Sequence, residues 1–130
     1  MAFRFLIVDD SPAMRAVVRR VLTMTGLAVD GCWEASNGQE ALSLLENQPV
    51  DVILTDINMP CMDGEQFVAR LQTREDCRDI PVLVVSSAQT ELRAQRLLAL
   101  GARGFVKKPF LPETLREQLL QVLGVSHVTE

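Results

Sequence analysis

Four apolar runs along the chain end in polar residues of the types that bind metal ions and phosphoryl groups. In chain order these residues are Asp9 with Asp10, Asp56, Ser86 with Ser87, and Lys107 with Lys108. If the runs are parallel strands of one sheet, their carboxyl ends meet at one edge and the side chains that follow them converge there. Carboxylates gathered in this way repel one another by roughly 1 to 4 kcal/mol per pair, so the cluster predicts a bound cation.

The formal charges indicate which cation is needed. Asp9, Asp10 and Asp56 supply three negative charges and Lys108 supplies one positive charge, so one divalent ion makes the group neutral. Oxygen ligands favour Mg²⁺ or Mn²⁺ over zinc. A neutral site of this composition can accept a phosphoryl group, with one carboxylate as the nucleophile. The residues therefore predict phosphorylation of an aspartate.

Position in the chain selects the nucleophile. Asp9 and Asp10 are adjacent and can share the ion, whereas Asp56 stands alone after a strand that is expected to be central. We therefore assign Asp56 as the phosphoacceptor. Asn58 lies two residues further on, where its backbone carbonyl is expected to complete the metal ligands, and Ser86 offers a hydroxyl donor to a phosphoryl oxygen.

The elements that would position these residues alternate along the chain. Apolar runs at 3–8, 50–55, 81–85 and 104–107, with a weaker, edge-like run at 29–35, predict five strands. Segments of helical periodicity follow the strands, and this alternation is typical of βα units around a parallel sheet buried on both faces. The predicted fold class is α/β, with the element order (βα)5.

Helix starts are predicted from residues that cap helices or open them. These are Ser11 with Pro12, Asn37, Asp63, Thr90 and Pro112. Asn37 with Glu40 and Asp63 with Gln66 have the spacing of a capping box. The fourth helix is expected to turn Leu100 inward and to end at the glycine that follows.

Composition argues against several classes of protein. The 130 residues are 48% hydrophobic and 23% charged with a net charge of −4, which fits one globular domain and disfavours direct nucleic-acid binding. The apolar runs are shorter than the roughly 18 to 20 residues of a membrane span, and no signal peptide follows Met1, so a cytoplasmic protein is expected. Cys32, Cys61 and Cys77 form neither a zinc motif nor a disulfide framework.

Four segments of the chain resemble the receiver domains of two-component response regulators, in particular the single-domain chemotaxis type. They are LIVDDSPAMR at 6–15, LTDINMPCMDG at 54–64, PVLVVSSA at 81–88 and GARGFVKKPF at 101–110. Together they span nearly the whole chain in the order and spacing of the family. The resemblance implies a flavodoxin-like three-layer sandwich with a five-stranded parallel sheet in the order 2-1-3-4-5. It also implies a receiver domain over residues 1–124, followed by a polar tail over 125–130.

For the site, the resemblance implies that Asp9 and Asp10 bind Mg²⁺ and that Asp56 is phosphorylated. It also implies that the Asn58 carbonyl ligates the metal, that Ser86 carries the sensing hydroxyl and that Lys108 is the lysine of the site. It adds a cis peptide bond between Lys108 and Pro109 and an aromatic switch at Phe105, which is expected to move with Ser86. Ser87 departs from the small alanine that is common after the sensing hydroxyl.

The function that the resemblance implies is signalling rather than turnover of a substrate. The expected phosphodonor is a histidine kinase, and the expected readout surface comprises the fourth helix, the fifth strand and the fifth helix. Basic candidates for contacting a downstream partner there are Arg93, Arg96, Arg103, Lys107 and Arg116. No effector domain follows Leu123, so output through another protein is expected, from a monomer or a weak phosphorylation-dependent dimer. The arginines of the first helix are interpreted as a solvated face: Arg15, Arg19 and Arg20.

Two alternatives stay open at this point. Within the same family, the chain could be a phosphorelay intermediate that passes the phosphoryl group to a histidine phosphotransfer protein. In a different class, it could be a flavodoxin-like module that binds a small molecule, although two carboxylates occupy the turn that a flavin phosphate needs. A phosphatase of the haloacid-dehalogenase type is disfavoured because Asn58 stands where its DxD pattern requires a second acid.

Overall fold

The structure is a computed structural model that describes residues 2–124. The predicted polar tail, 125–130, lies outside the described residues. The described part of the chain forms three layers, with one sheet between two layers of helices. None of the helices within residues 2–124 is both long and apolar enough to cross a membrane.

Five parallel strands form the sheet: β1 (Ala2–Val8), β2 (Ala28–Ala35), β3 (Val52–Thr55), β4 (Val82–Ser86) and β5 (Gly104–Lys107). Their order across the sheet is β2-β1-β3-β4-β5. The predicted fold class and strand order are therefore confirmed, with β3 in the centre and β2 at one edge. Both β3 and β4 are buried along their whole length, as expected for strands that helices cover on both faces.

Five helices connect and cover the strands: α1 (Pro12–Thr23), α2 (Gly38–Leu45), α3 (Gly64–Thr73), α4 (Glu91–Leu100) and α5 (Pro112–Leu123), with a short 3-10 turn (Ala88–Thr90) before α4. The hydroxyl of Ser11 caps α1 by accepting from the Met14 amide at 3.1 Å. The capping box predicted for α3 is complete, because Asp63 and Gln66 each accept a hydrogen bond from the other's backbone amide. These caps fix where both helices leave the carboxyl edge of the sheet.

Two details of the predicted caps are wrong. Asn37 accepts from the Glu40 amide as expected, but the Glu40 carboxylate accepts from the amide and hydroxyl of Ser36 instead of completing the box. Ser36 offers two donors where the box would use one. Thr90 does not cap α4 through its side chain, because its hydroxyl oxygen accepts from the Ser87 amide at 2.8 Å across the 3-10 turn.

Two apolar clusters hold the layers together on opposite faces of the sheet. Helices α2, α3 and α4 cover one face, where Phe67 is fully buried, and α1 and α5 cover the other, where Phe5 is fully buried. Burial of each large apolar side chain contributes about 1.5 to 3 kcal/mol. In α4 the inward residues are Ala94 and Leu97; Leu100, predicted to turn inward, is 40% exposed because the helix ends there. The packed sheet makes its carboxyl edge a rigid platform.

Candidate functional site

Three carboxylates meet at the carboxyl edge of the sheet, as the sequence predicts. Asp9 and Asp10 follow β1 and Asp56 follows β3, and these two strands are hydrogen-bonded neighbours. Each of the three residues offers one carboxylate oxygen, and these oxygens all lie within 4.8 Å of one another. Asp9 is buried, Asp56 is partly buried and Asp10 is exposed. Asp10 therefore forms the solvent-exposed part of the cluster.

Backbone contacts fix Asp9 from several directions. Its amide donates to the Ala35 carbonyl at 3.0 Å, which ties it to the end of β2. Its carboxylate accepts from the Ser11 amide at 2.9 Å, and its backbone carbonyl accepts from Nη1 of Arg15 at 2.6 Å. The position of this buried acid is thus set by β2 and by the first turn of α1.

Asp56 is held with similar strictness. Its amide donates to the Val8 carbonyl at 2.8 Å, and its Oδ1 accepts from the Ile57 amide at 2.8 Å. Gly64 begins α3 directly against this segment: a Cβ there would lie 2.7 Å from the Asp56 carbonyl oxygen and 2.9 Å from the Ile57 Cα. A side chain at position 64 would therefore displace the backbone that carries the candidate nucleophile.

Lys108 supplies the positive charge that the sequence predicts. Its Nζ lies 3.8 Å from Oδ1 of Asp56, a distance of an ion pair rather than a hydrogen bond. Its amide donates to the Ser86 carbonyl at 2.7 Å, and the peptide bond between Lys108 and Pro109 is cis, as expected. The lysine is thus fixed to the end of β4 and directed at the carboxylate cluster.

The carboxylates carry a charge that the described side chains offset only in part. Burial raises the pKa of Asp56, and the Ile57 amide and the Lys108 ammonium oppose this effect without cancelling it. Burial likewise raises the pKa of Asp9, and the nearby Asp56 and Asp10 carboxylates add to the increase. Each raised pKa indicates that the ionised form is destabilised where it stands. A divalent cation held by carboxylate oxygens would remove this cost, so these residues fit a magnesium-type ion.

Asn58 lies on the exposed side of the cluster, two residues beyond Asp56. Its side-chain oxygen accepts a hydrogen bond from Nη1 of Arg93, a residue of α4. Its part in ligating a metal through its backbone carbonyl stays a prediction.

The two serines at the end of β4, Ser86 and Ser87, have different environments. Ser86 is fully buried, and its hydroxyl donates to the Val106 carbonyl of β5 at 3.4 Å. Ser87 instead pairs with Thr90, through its hydroxyl at 3.2 Å and its amide at 2.8 Å. Phe105 precedes Val106 and packs, partly buried, against the apolar cluster under α2, α3 and α4. Ser86 is therefore the serine that is linked to the strand carrying Phe105.

Two arginines near the site have contacts that the sequence did not predict. Arg15 is not on a solvated face: its side chain is 17% exposed and binds Glu34 at 2.8 Å as well as the Asp9 carbonyl. Arg93 lies at the mouth of the cleft that Asp10 and Asn58 line, rather than on a free outer surface. The sequence did offer one signal for Arg93, its position in the first turn of a predicted helix. The helix dipole disfavours a positive charge there, so an arginine at this position favours acidic partners nearby.

Several other residues of the predicted basic readout surface have partners within the chain. Lys107 pairs with Glu91 at 3.2 Å, and the guanidinium of Arg116 donates to the Thr25 carbonyl at 2.9 Å. Arg103 donates to the Asp79 carbonyl at 3.3 Å. Of these three contacts, the one between Lys107 and Glu91 offsets a positive charge, whereas those of Arg103 and Arg116 occupy donors without neutralising the guanidinium, because a backbone carbonyl has no net charge.

Comparison with known proteins agrees with the observed fold. Residues 5–120 match the profile of the response regulator receiver domain. A chemotaxis protein CheY homolog of Campylobacter jejuni is 36% identical to the chain over 122 residues, which cover 93% of this chain and 92% of that protein.

Two solved structures show the same architecture. The chemotaxis response regulator CheY4 of Vibrio cholerae has a TM-score of 0.80 and 34% identity, and the match covers 94% of this chain and 99% of that one. The receiver domain of a sensor histidine kinase from Pseudomonas aeruginosa, with a magnesium ion coordinated in its active site cleft, has a TM-score of 0.82 and 23% identity. That match covers 95% of this chain and 99% of the other, and it supports the fold.

Proposed function

This chain belongs to the response regulator receiver domain family, and we propose that it is a phosphoacceptor switch of a two-component system, phosphorylated on Asp56. The observation that carries this proposal is the convergence of Asp9, Asp10 and Asp56 within 4.8 Å, with the Lys108 ammonium 3.8 Å from Asp56. A single cluster thus holds a nucleophile, metal-type ligands and a cation for the transferred group.

The proposed step is transfer of a phosphoryl group from a phosphohistidine of a kinase. An oxygen of Asp56 forms a bond to phosphorus while the bond from phosphorus to the imidazole nitrogen breaks, and the electron pair goes to that nitrogen. Because the Ile57 amide and Lys108 both approach Oδ1, Oδ2 is the candidate attacking atom. Lys108 would then stabilise the negative charge on the transferred group.

The residues proposed to hold Mg²⁺ or Mn²⁺ are Asp9, Asp10 and Asp56, with the backbone carbonyl of Asn58. When bound, such an ion neutralises the carboxylates and the phosphoryl oxygens. Asp9 supports this role because its buried carboxylate is anchored by the Ser11 amide and cannot turn away to solvent without losing that bond.

The proposed switch uses Ser86 and Phe105. Phosphorylation changes the charge on Asp56 from −1 to about −2 and adds three acceptor oxygens. The present bond of Ser86 to the Val106 carbonyl is long, at 3.4 Å, so a phosphoryl oxygen would compete well for that hydroxyl. Movement of Ser86 would release β5 next to Phe105 and shift the population of conformers on that side.

The proposed output is signalling to a downstream protein through the surface of α4, β5 and α5, by a monomer or by a weak dimer that forms on phosphorylation. Proteins of this kind change their own covalent state rather than turn over an external substrate. The cytoplasmic location expected from the sequence stays a prediction.

The test is phosphorylation of the full chain by acetyl phosphate or by a histidine kinase with Mg²⁺, followed by intact mass and peptide mapping. We expect one phosphoryl group on Asp56 that hydroxylamine removes, and complete loss of this labelling in Asp56→Asn. Asp51→Asn is the matched control, because Asp51 flanks the same strand but lies at its other end, and labelling should persist there. Labelling of Asp56→Asn to the wild-type extent would disprove the assignment.

A further inference from the structure

Arg93 bridges three structural elements at the mouth of the site. It lies in the first turn of α4, and its side chain crosses to the first turn of α3 and to the loop after β3. Nε lies 3.0 Å from Oε1 of Glu65, Nη2 lies 3.3 Å from Oδ2 of Asp63, and Nη1 donates to the side-chain oxygen of Asn58. These contacts hold the guanidinium in one place while leaving 31% of the side chain exposed.

The guanidinium lies beside the exposed acid of the cluster, Asp10. It lines the same surface cleft as Asp10 and Asn58, and this cleft leads to the carboxylate cluster. Its charge also lowers the pKa of Asp56, which opposes the larger upward effect of burial. The field of Arg93 therefore reaches the candidate nucleophile even though its side chain is paired elsewhere.

We propose that Arg93 is a specificity-determining residue for the phosphodonor, drawing doubly charged phosphoryl donors into the cleft toward Asp56. This inference rests on the proposed phosphorylation of Asp56. For an acyl phosphate, an Asp56 carboxylate oxygen forms the new bond to phosphorus, the bond from phosphorus to the acyl oxygen breaks, and the electron pair leaves with the carboxylate product. Arg93 acts before this step, by raising the local concentration of the dianion.

Because acidic residues surround Arg93, its proposed electrostatic role can be distinguished by experiment from a purely structural role. Removing its guanidinium leaves Asp63 and Glu65 without their shared partner, so the mouth of the cleft becomes more negative. A more negative cleft repels an anionic donor but attracts a metal cation. A variant that merely loosened the loop after β3 would instead impair both.

The experiment compares Arg93→Ala with Arg96→Ala, in the full chain, using two donors of different charge. Arg96 is a matched control on the same helix: its side chain is 70% exposed and, within residues 2–124, pairs only with Glu65, at 3.9 Å. At neutral pH acetyl phosphate is a dianion, whereas phosphoramidate carries one net negative charge. We expect Arg93→Ala to slow phosphorylation by acetyl phosphate about 3- to 10-fold at low ionic strength, with a clearly smaller effect on phosphoramidate.

Three further readouts complete the test. The difference between wild type and Arg93→Ala should shrink in about 1 M salt, Arg93→Lys should restore most of the rate, and Mg²⁺ affinity measured by calorimetry should not fall in Arg93→Ala. The inference would be overturned if Arg93→Ala slowed phosphorylation equally with both donors and salt did not change this slowing. A parallel loss of Mg²⁺ affinity would also overturn it, and either result would assign Arg93 a purely structural role. Absence of phosphorylation in the wild type would instead overturn the proposed function.

Discussion

Two aspartates flank the central strand β3, and the same residue type has opposite electrostatic properties at its two ends. Asp51 precedes the strand and Asp56 follows it, and both backbone amides donate to carbonyls of β1 at 2.8 Å, from Arg4 and Val8 respectively. The side chains are 31% and 16% exposed. Neither the strand nor the backbone bonding distinguishes them, so the difference must come from burial and from their side-chain partners.

At the amino end, Asp51 has a cation of its own. Its carboxylate accepts from the Arg4 amide at 2.7 Å and from Nε and Nη2 of Arg4 at 3.2 Å each, and the bond to the Arg4 side chain lowers the pKa of Asp51. At the carboxyl end, burial raises the pKa of Asp56, which has two acidic neighbours and one lysine at ion-pair distance. The first carboxylate stabilises the fold, whereas the second bears a cost that a ligand can relieve.

The largest effect should come from filling the site. Mg²⁺ at about 100 times its dissociation constant should raise the free energy of unfolding by about 2.7 kcal/mol, because binding favours the folded state. Asp9→Asn should lose most of this stabilisation, and Asp51→Asn should keep it. Urea unfolding with and without Mg²⁺ measures the difference. An equal Mg²⁺ response in wild type and Asp9→Asn would contradict the proposed ligand set.

Neutralising each aspartate without divalent ions should change stability in opposite directions. Asp56→Asn should raise the free energy of unfolding at neutral pH by about 1 kcal/mol, since it removes a destabilised charge while the amide oxygen can still accept from Ile57. Asp51→Asn should lower it by about 0.5 kcal/mol, a value reduced because about a third of each partner of its ion pair is exposed to solvent. Urea unfolding in a chelating buffer tests this, and a decrease in both variants would remove the contrast.

The smallest effect concerns pH: the stability differences of Asp56→Asn and Asp51→Asn from wild type should disappear over different pH ranges. The folded-state pKa of Asp56 is raised, so protonation of this residue favours the folded state. The free energy of unfolding of the wild type, which is lower than that of Asp56→Asn at neutral pH, should therefore approach it as pH falls through the raised pKa. The folded-state pKa of Asp51 is lowered, so the advantage of wild type over Asp51→Asn should persist at those pH values and disappear only below the ordinary aspartate pKa.

Unfolding curves for the three proteins between about pH 3 and 7.5, without Mg²⁺, would show these two ranges. If both differences disappeared over the same range, the two carboxylates would not differ in the way that their surroundings indicate.

Much of the fold follows from local patterns in the sequence. The apolar runs of β3 and β4 are buried along their length, as β-branched runs in a doubly covered sheet must be. Strand β3 begins at Val52, two residues later than predicted, because the Asp51 carboxylate accepts a hydrogen bond from the Arg4 amide at the amino end of the strand. The reciprocal bonds of Asp63 and Gln66 were also predictable, since residues three apart at a helix start meet wherever the helix lies.

Side chains that reach between elements were not predictable in this way. Arg15 and Arg93 both read as outward-facing charges on amphipathic helices, yet one donates to the Asp9 carbonyl and the other to Asn58. A long guanidinium spans a gap whose width depends on how two elements pack. The spacing of residues along one helix gives no information about the distance between that helix and another element.

The meeting of Asp9, Asp10, Asp56 and Lys108 at one site could be predicted from the sequence alone, because the carboxyl ends of parallel strands share one edge whatever the details of packing. Their electrostatic state depends on the tertiary structure, which sets how deeply Asp9 and Asp56 are buried, how far Lys108 lies from Asp56, and where Arg93 is held. Charge interactions depend on distances and burial in three dimensions, and the sequence specifies these only through the completed fold.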